Sequence, residues 1–296
     1  MKNKQHPESL MMSYGYKPEL SEGSIKSPIF QTSTFVFKSA EEGKAFFEIQ
    51  NKKRKKRKNE NVGLIYSRMN NPDMEILENR LTLWDGAEDC CVFESGMAAI
   101  TTVLLEFLKP GDLLVYSIPL YGGTEHFIDS YLTDIGVHSV AFKPTHSEKE
   151  IVEIIKATGK ADKFSLMFIE TPSNPTSTLI DISMCKKIAD KFSTNLPAAK
   201  GIIGQAGNKK VYLACDNTYM GPLWQHPLKH GADFSLYSAT KYIGGHSDLI
   251  AGACLGNKEL MSRVRSLRSQ LGNMAAPWTS WLMMRSLETL KIRMEQ

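Results

Sequence analysis

The sequence predicts an α/β fold built on a largely parallel sheet, and three observations carry that prediction. From Gly63 onward, short apolar runs alternate with segments whose apolar residues recur at helical spacing. The runs are nearly continuous in apolar residues, as strands covered on both faces must be: Cys90–Phe93, Leu113–Ile118 and Ser165–Ile169 are examples. Polar and small residues then gather just past the ends of these runs, where folds of this class hold their ligands.

Taken in order, residues 1–62 show little periodicity. Tyr14-Gly-Tyr16, Pro18 and Pro28 punctuate an arm expected to be extended rather than packed. Ser39 followed by two glutamates predicts a capped helix reaching Ile49. The basic run Lys52–Lys58 comes next. No aromatic residue interleaves it, so it reads as a solvated loop more readily than as a nucleic-acid surface.

Residues 63–256 form the expected ligand-binding domain. Helical spacing covers 74–83, 98–107, 148–157 and 181–192, and another helix opens at Tyr121-Gly-Gly-Thr124. Strand character covers 90–93, 113–118, 138–142, 165–169, 211–214 and 234–237. Residues 195–210 read as a Gly- and Lys-containing surface insertion. Residues 257–296 read as linking helices at the entrance to a further domain, with Trp278 and Trp281 on an expected exposed face.

Composition excludes several classes. At 296 residues, with 42% hydrophobic and 23% charged residues, the chain is an ordinary globular one. The net charge of +4 is concentrated in residues 52–58, so no basic face spreads over a domain. The first residues carry charge with no apolar run behind them, and no stretch approaches a membrane span. The five cysteines are odd in number and sit mostly in apolar runs, as reduced core residues of a cytoplasmic protein do. Neither they nor the seven histidines have metal-ligand spacing, so no metal is expected.

The chemistry gathers around Ser238-Ala-Thr-Lys241-Tyr-Ile-Gly-Gly-His246. A lysine between a strand and a tight turn, held in a partly desolvated pocket, has a lowered pKa and can form a Schiff base with an aldehyde. Ser238 and Thr240 are expected on one side of an extended segment, both within reach of one phosphate. Ser95-Gly96-Met97 is a glycine turn at a helix start, whose free N–H groups suit an anion. Glu170 and Asn174 share a proline-stiffened loop. Asp216, before Asn217 and Thr218, is either a helix cap or the partner of a protonated ring nitrogen. Tyr121, beside two glycines, offers a plate for a planar ligand. A phosphate cradle, a plate, a carboxylate and an aldehyde-accepting amine together are what pyridoxal 5'-phosphate requires.

These motifs, with Tyr66-Ser-Arg68, resemble the Cys/Met-metabolism family of pyridoxal-phosphate enzymes over most of residues 8–296. That family includes cystathionine γ-synthase, cystathionine γ-lyase and methionine γ-lyase. The resemblance implies an aspartate-aminotransferase-like (type I pyridoxal-phosphate) large domain. It implies that Lys241 bonds the cofactor aldehyde, Asp216 holds the ring nitrogen with Thr218 beside it, and Tyr121 stacks on the ring and assists proton transfer. Gly96, Met97, Ser238 and Thr240 would bind the phosphate, and Glu170 and Asn174 would support the ring. Tyr66 and Arg68 would complete the phosphate site of a neighbouring subunit in a dimer or tetramer.

The implied reaction is γ-replacement or γ-elimination on an amino-acid substrate of transsulfuration, with methionine γ-lyase as the alternative. Rival classes are a cofactor-binding pseudoenzyme and a nucleic-acid-associated protein using residues 52–58; the reading favours neither nucleic acid nor membrane as a partner. Two departures are expected to matter. Methionine γ-lyases typically carry cysteine where Gly123 stands. The family's C-terminal domain, which supplies an arginine for the substrate carboxylate, is largely missing from residues 1–296, and Arg285 and Arg293 are its conceivable substitutes.

Overall fold

The computed structural model describes residues 5–51, 53–57, 60, 63–195 and 208–296. Its centre is a seven-stranded sheet: β1 (Asp89–Phe93), β2 (Leu113–Ser117), β3 (His138–Phe142), β4 (Phe164–Glu170), β5 (Tyr212–Asp216), β6 (Phe234–Ser238) and β7 (Gly252–Gly256). The spatial order is β1-β7-β6-β5-β4-β2-β3. Strands β2 to β6 pair in parallel, and β7 runs antiparallel to both β1 and β6. The ends of β1, β2, β4, β5 and β6 therefore open on one edge, and β7 begins there, with Gly252 opposite both Phe93 and Ser238.

The two-residue period of a strand sorts side chains between the faces. On one face Leu114, Leu166, Ala214 and Leu236 pack with α3 (Gly96–Phe107). On the other, Leu113, Val115, Met167 and Leu213 meet α5 (Glu148–Ala157) and α6 (Ile182–Phe192). A third apolar cluster joins β1, β6 and β7 to α2 (Pro72–Asp85), α8 (Pro277–Leu287) and α9 (Leu290–Glu295). Further helices include α1 (Ala40–Gln50), the short α4 (Gly122–Phe127) and α7 (Lys258–Leu271). Caps fix several starts: Ser39 accepts from the N–H of Glu42, and Ser147 forms a capping box with Glu150.

Four expectations need correction. Strand β7 had no place in the sequence reading; its ends are glycines that let it lie close against its neighbours. A Cβ on Gly256 would stand 2.8 Å from the Asp233 carbonyl oxygen. The first part of the arm is packed, since Pro7–Leu10 forms a helical turn and Met11 is fully buried, taking a contact from Trp84 Nε1 at 3.2 Å. The arm turns outward only later, where Leu20, Ile25 and Val36 are exposed. Trp281 is partly buried and donates to the Ser27 carbonyl at 2.9 Å, leaving Trp278 as the exposed ring of the stacked pair. Finally, the extended stretch ends at Ser238. The N–H of Gly244 closes on the Ala239 carbonyl at 2.7 Å, so Thr240 and Lys241 ride on a turn.

Residues 194–195 and 208–209 pair as a two-residue antiparallel ladder, and the rest of the 195–210 insertion lies outside the described residues. Within the basic run, Arg54 is gripped by Glu60 at 2.6 Å and Glu48 at 3.0 Å; Lys52 and Lys58 lie outside the described residues. Among the described residues no helix is long and apolar enough to cross a membrane, and all five cysteines are buried and free.

Candidate active site

The carboxyl edge of the sheet opens into a cavity of about 700 Å³. Its lining brings together Gly96, Met97, Tyr121, Glu170, Asn174, Asp216, Thr218, Ser238, Thr240 and Lys241, contributed by the ends of β1, β2, β4, β5 and β6. Tyr66 and Arg68 do not line it. Arg68 lies over the Tyr66 ring at 5.5 Å and donates to the Ser269 carbonyl at 2.5 Å, and both residues are exposed.

Helix α3 starts where β1 ends. Its cap, Ser95, accepts from Ala98 N–H at 3.0 Å, and the first N–H groups, on Gly96 and Met97, have no intrahelical acceptor. Gly96 is required by contact: a Cβ there would stand 2.7 Å from Ser238 Cβ and 2.8 Å from its Cα. Gly252 meets the same turn from β7, where any side chain would strike the Ser95 carbonyl. The cradle is thus made by backbones pressed together, with Ser238 at its wall. Thr240 lines it too, though its hydroxyl also donates to the Ala251 carbonyl at 3.2 Å and accepts from Ala251 N–H at 3.0 Å.

Two buried carboxylates line the same cavity. Asp216 accepts from Thr218 N–H at 2.9 Å, and the Thr218 hydroxyl in turn accepts from Ser238 N–H at 2.7 Å. Burial raises the Asp216 pKa against that bond. Glu170 accepts from Tyr121 N–H at 2.6 Å and from Asn174 N–H at 2.8 Å, tying the two loops together. Burial, and then the nearby Asp216 charge, push Glu170 up to about 7.

Lys241 reaches the open cavity and is exposed, where the sequence reading expected a desolvated amine. The amine forms no ion pair among the described residues, so no carboxylate holds it away from the cavity. Sequence reasoning missed Tyr219, Tyr242 and Ile250, which complete the lining from turns with no periodic signal. Among the described residues no cluster of three metal-type ligands exists.

These residues fit pyridoxal phosphate. The cradle that a Cβ would fill, two uncompensated carboxylates and an unpaired amine stand around one cavity. Lys241, Asp216 and the Gly96–Met97 turn would hold the aldehyde, ring nitrogen and phosphate ends respectively.

Comparison with known proteins agrees with that fit. The family model described as "Cys/Met metabolism PLP-dependent enzyme" matches residues 8–296. The L-methionine gamma-lyase of Treponema denticola is 35% identical over 276 residues, which are 93% of this chain and 61% of the relative. The cystathionine gamma-lyase of Bacillus subtilis is 34% identical over 97% of this chain and 65% of its own length. The crystal structure of metB from Corynebacterium glutamicum superposes with a TM-score of 0.79 at 30% identity, covering 98% of this chain and 65% of that one. The chain spans about three-fifths of the length of these relatives.

Proposed function

The chain belongs to the Cys/Met metabolism PLP-dependent enzyme family, and from that premise we propose that it catalyses γ-elimination or γ-replacement on sulfur amino acids or O-acyl-homoserines. The observation that carries the reading is the single cavity in which Lys241, Asp216, Tyr121 and the Gly96–Met97 turn meet. When bound, the cofactor supplies an electron sink for the substrate's α-carbon.

The chain's own residues do the rest. A carboxylate at Asp216 keeps a proton on the ring nitrogen. The Lys241 amine would take the α-proton and return protons to neighbouring carbons. Tyr121, whose backbone is fixed by Glu170, would lie beside the ring and could serve as acid or base at the departing γ-group. Tyr66 and Arg68, exposed and outside the cavity, suit the phosphate site of a second copy, as in a dimer or tetramer with shared sites. The five buried free cysteines support a reducing, cytoplasmic setting.

Methionine γ-lyase activity is the second reading, favoured by the likeness to the L-methionine gamma-lyase of Treponema denticola. Against it stands Gly123. A Cβ there would lie 2.7 Å from Tyr121 Cε1, so the present ring position depends on having no side chain at 123. Engagement of Arg54 by two glutamates weakens the nucleic-acid alternative.

The test loads the purified protein with pyridoxal phosphate, reduces it with borohydride and maps the label. Label on Lys241, lost in Lys241→Ala, is expected. Label elsewhere, or none, overturns the assignment. Keto-acid release from cystathionine, methionine and O-acyl-homoserine then separates the substrates, and label without any release identifies a pseudoenzyme.

A further inference from the structure

Helix α9 touches both loops that frame the cavity. After Asp216, the chain bends at Gly221, whose φ is +63°; a Cβ there would lie 2.7 Å from Met294 Cε of α9. After Lys241, it bends at Gly245, whose φ is +74°; a Cβ there would collide with the Arg293 guanidinium. Two left-handed glycines thus open room for neighbouring side chains of one short helix.

Four of the five guanidinium N–H groups are engaged. Nη1 donates to the Tyr242 carbonyl at 2.6 Å, and Nη2 to the carbonyls of Ile243 at 3.3 Å and Ser286 at 2.8 Å, while Nε donates to Thr289 Oγ1 at 3.1 Å. Tyr242 and Ile243 end the turn that starts at Ala239, and their carbonyls are the orphan acceptors that a helical turn leaves behind. Arg293 supplies the missing donors as charge-assisted bonds. Engaged with the backbone and absent from the cavity lining, it is no stand-in for a substrate-carboxylate arginine.

We propose that Arg293 is a positioning residue: by holding the Tyr242 and Ile243 carbonyls it sets the turn after Lys241, and with it the place of the Lys241 amine and the Tyr242 ring in the cavity. Its link to catalysis rests on the proposed function; the staple itself does not. Lysine cannot replace it, because one ammonium cannot span carbonyls on the turn and on α8 in a fixed plane.

Two experiments test it, and they fail separately. In the cofactor-free protein, hydrogen exchange is followed by mass spectrometry over residues 239–246. Arg293→Ala should speed exchange at the Gly244 and Gly245 amides by about tenfold or more, with β4 and β5 unchanged, as expected when local opening becomes easier by at least about 1.4 kcal/mol. Exchange at the parental rate overturns the proposal whatever the cofactor does. In the loaded protein, Arg293→Ala should shift the pH midpoint of the visible cofactor band and lower kcat by up to about 100-fold, the scale of a 1 Å misplacement. Added guanidinium should restore part of both. Arg293→Lys, the variant to use if the alanine form does not fold, should show the same exchange and pH shifts, weaker in size; parental behaviour in it overturns the proposal. Faster exchange in Arg293→Ala than in a parent that fixes no cofactor would keep the staple and discard the proposed function.

Discussion

Two clusters of buried charge lie on the same sheet and are built on opposite terms. Between α2, β1 and α7, Arg268 meets Glu78 at 2.6 Å, and Arg265 meets Asp89 through two nitrogens at 2.8 and 3.0 Å. Backbone groups complete this set, with Val92 giving its N–H to Glu78 and taking a bond from Arg268. Every charge there has an opposite charge in contact. At the carboxyl edge, by contrast, Glu170 is met by backbone N–H groups and Asp216 by the N–H and side chain of Thr218, with no cation paired to either among the described residues, and both pKa values rise with burial. The first cluster is balanced in charge, although Arg268 Nε has no hydrogen-bond partner among the described residues, and it holds helices to a strand. The second is electrostatically open and becomes balanced only when a cationic group enters the cavity.

The sharpest way to break the comparison is to open the closed cluster. Arg268→Met removes a guanidinium that is 2% exposed and leaves Glu78 with Arg265 at 3.5 Å as its remaining cation. Stripping one partner from a buried pair costs about 3–5 kcal/mol. Calorimetry should show a melting temperature lower by roughly 10 °C. Adding Glu78→Gln should recover much of the loss, since the amide oxygen still accepts from Val92. Cofactor fixation per folded molecule should be unaffected, because Arg268 does not line the cavity.

The open cluster should respond in the reverse sense. Asp216→Asn removes a buried charge that has no cation beside it, so the cofactor-free protein should melt at or above the parental temperature. Turnover should fall by about 100-fold or more, the scale of losing one preorganised electrostatic contact. A variant that loses stability and keeps its activity would place Asp216 with Arg268, as a structural charge.

The same contrast explains what the sequence made legible. One helix announced itself through its cap, Ser39, because a cap and the N–H it accepts from lie only three residues apart, and the others through the helical spacing of their apolar residues. Strands with continuous apolar runs were equally plain, and His138–Phe142 and Glu148–Ala157 begin and end as expected. Strand β7 was hidden because its glycine ends read as turns, though they are there for close approach to Ser95 and Asp233. At the site, Lys241 and Asp216 were legible from local context. The Glu170 bridge was not, because Tyr121 lies 49 residues away in the chain. Arg293 was read as a candidate for the substrate carboxylate, and only the fold reveals that Tyr242, 51 residues earlier, takes its Nη1.

The smallest expected effect isolates Glu170 itself. Its folded-state pKa, about 7, lies above the ordinary carboxyl value of 4.5. Between those limits the folded, cofactor-free protein holds a proton that the unfolded chain has released. The stabilisation is therefore complete below about pH 4.5 and is lost as pH rises to about 7, with a slope no steeper than about 1.4 kcal/mol per pH unit for one proton. Glu170→Gln should flatten that part of the stability curve in urea titrations at stepped pH. The amide can accept from only one of the Tyr121 and Asn174 N–H groups, so the variant should also start from a lower plateau. Arg268→Met should lower the whole curve and keep the slope, since it leaves Glu170 in place. A slope that survives in Glu170→Gln would assign the titration to Asp216, whose pKa is raised in the same direction. A slope lost in Arg268→Met as well would mean that the two clusters are coupled through the sheet, and that the division between closed and open charge is wrong.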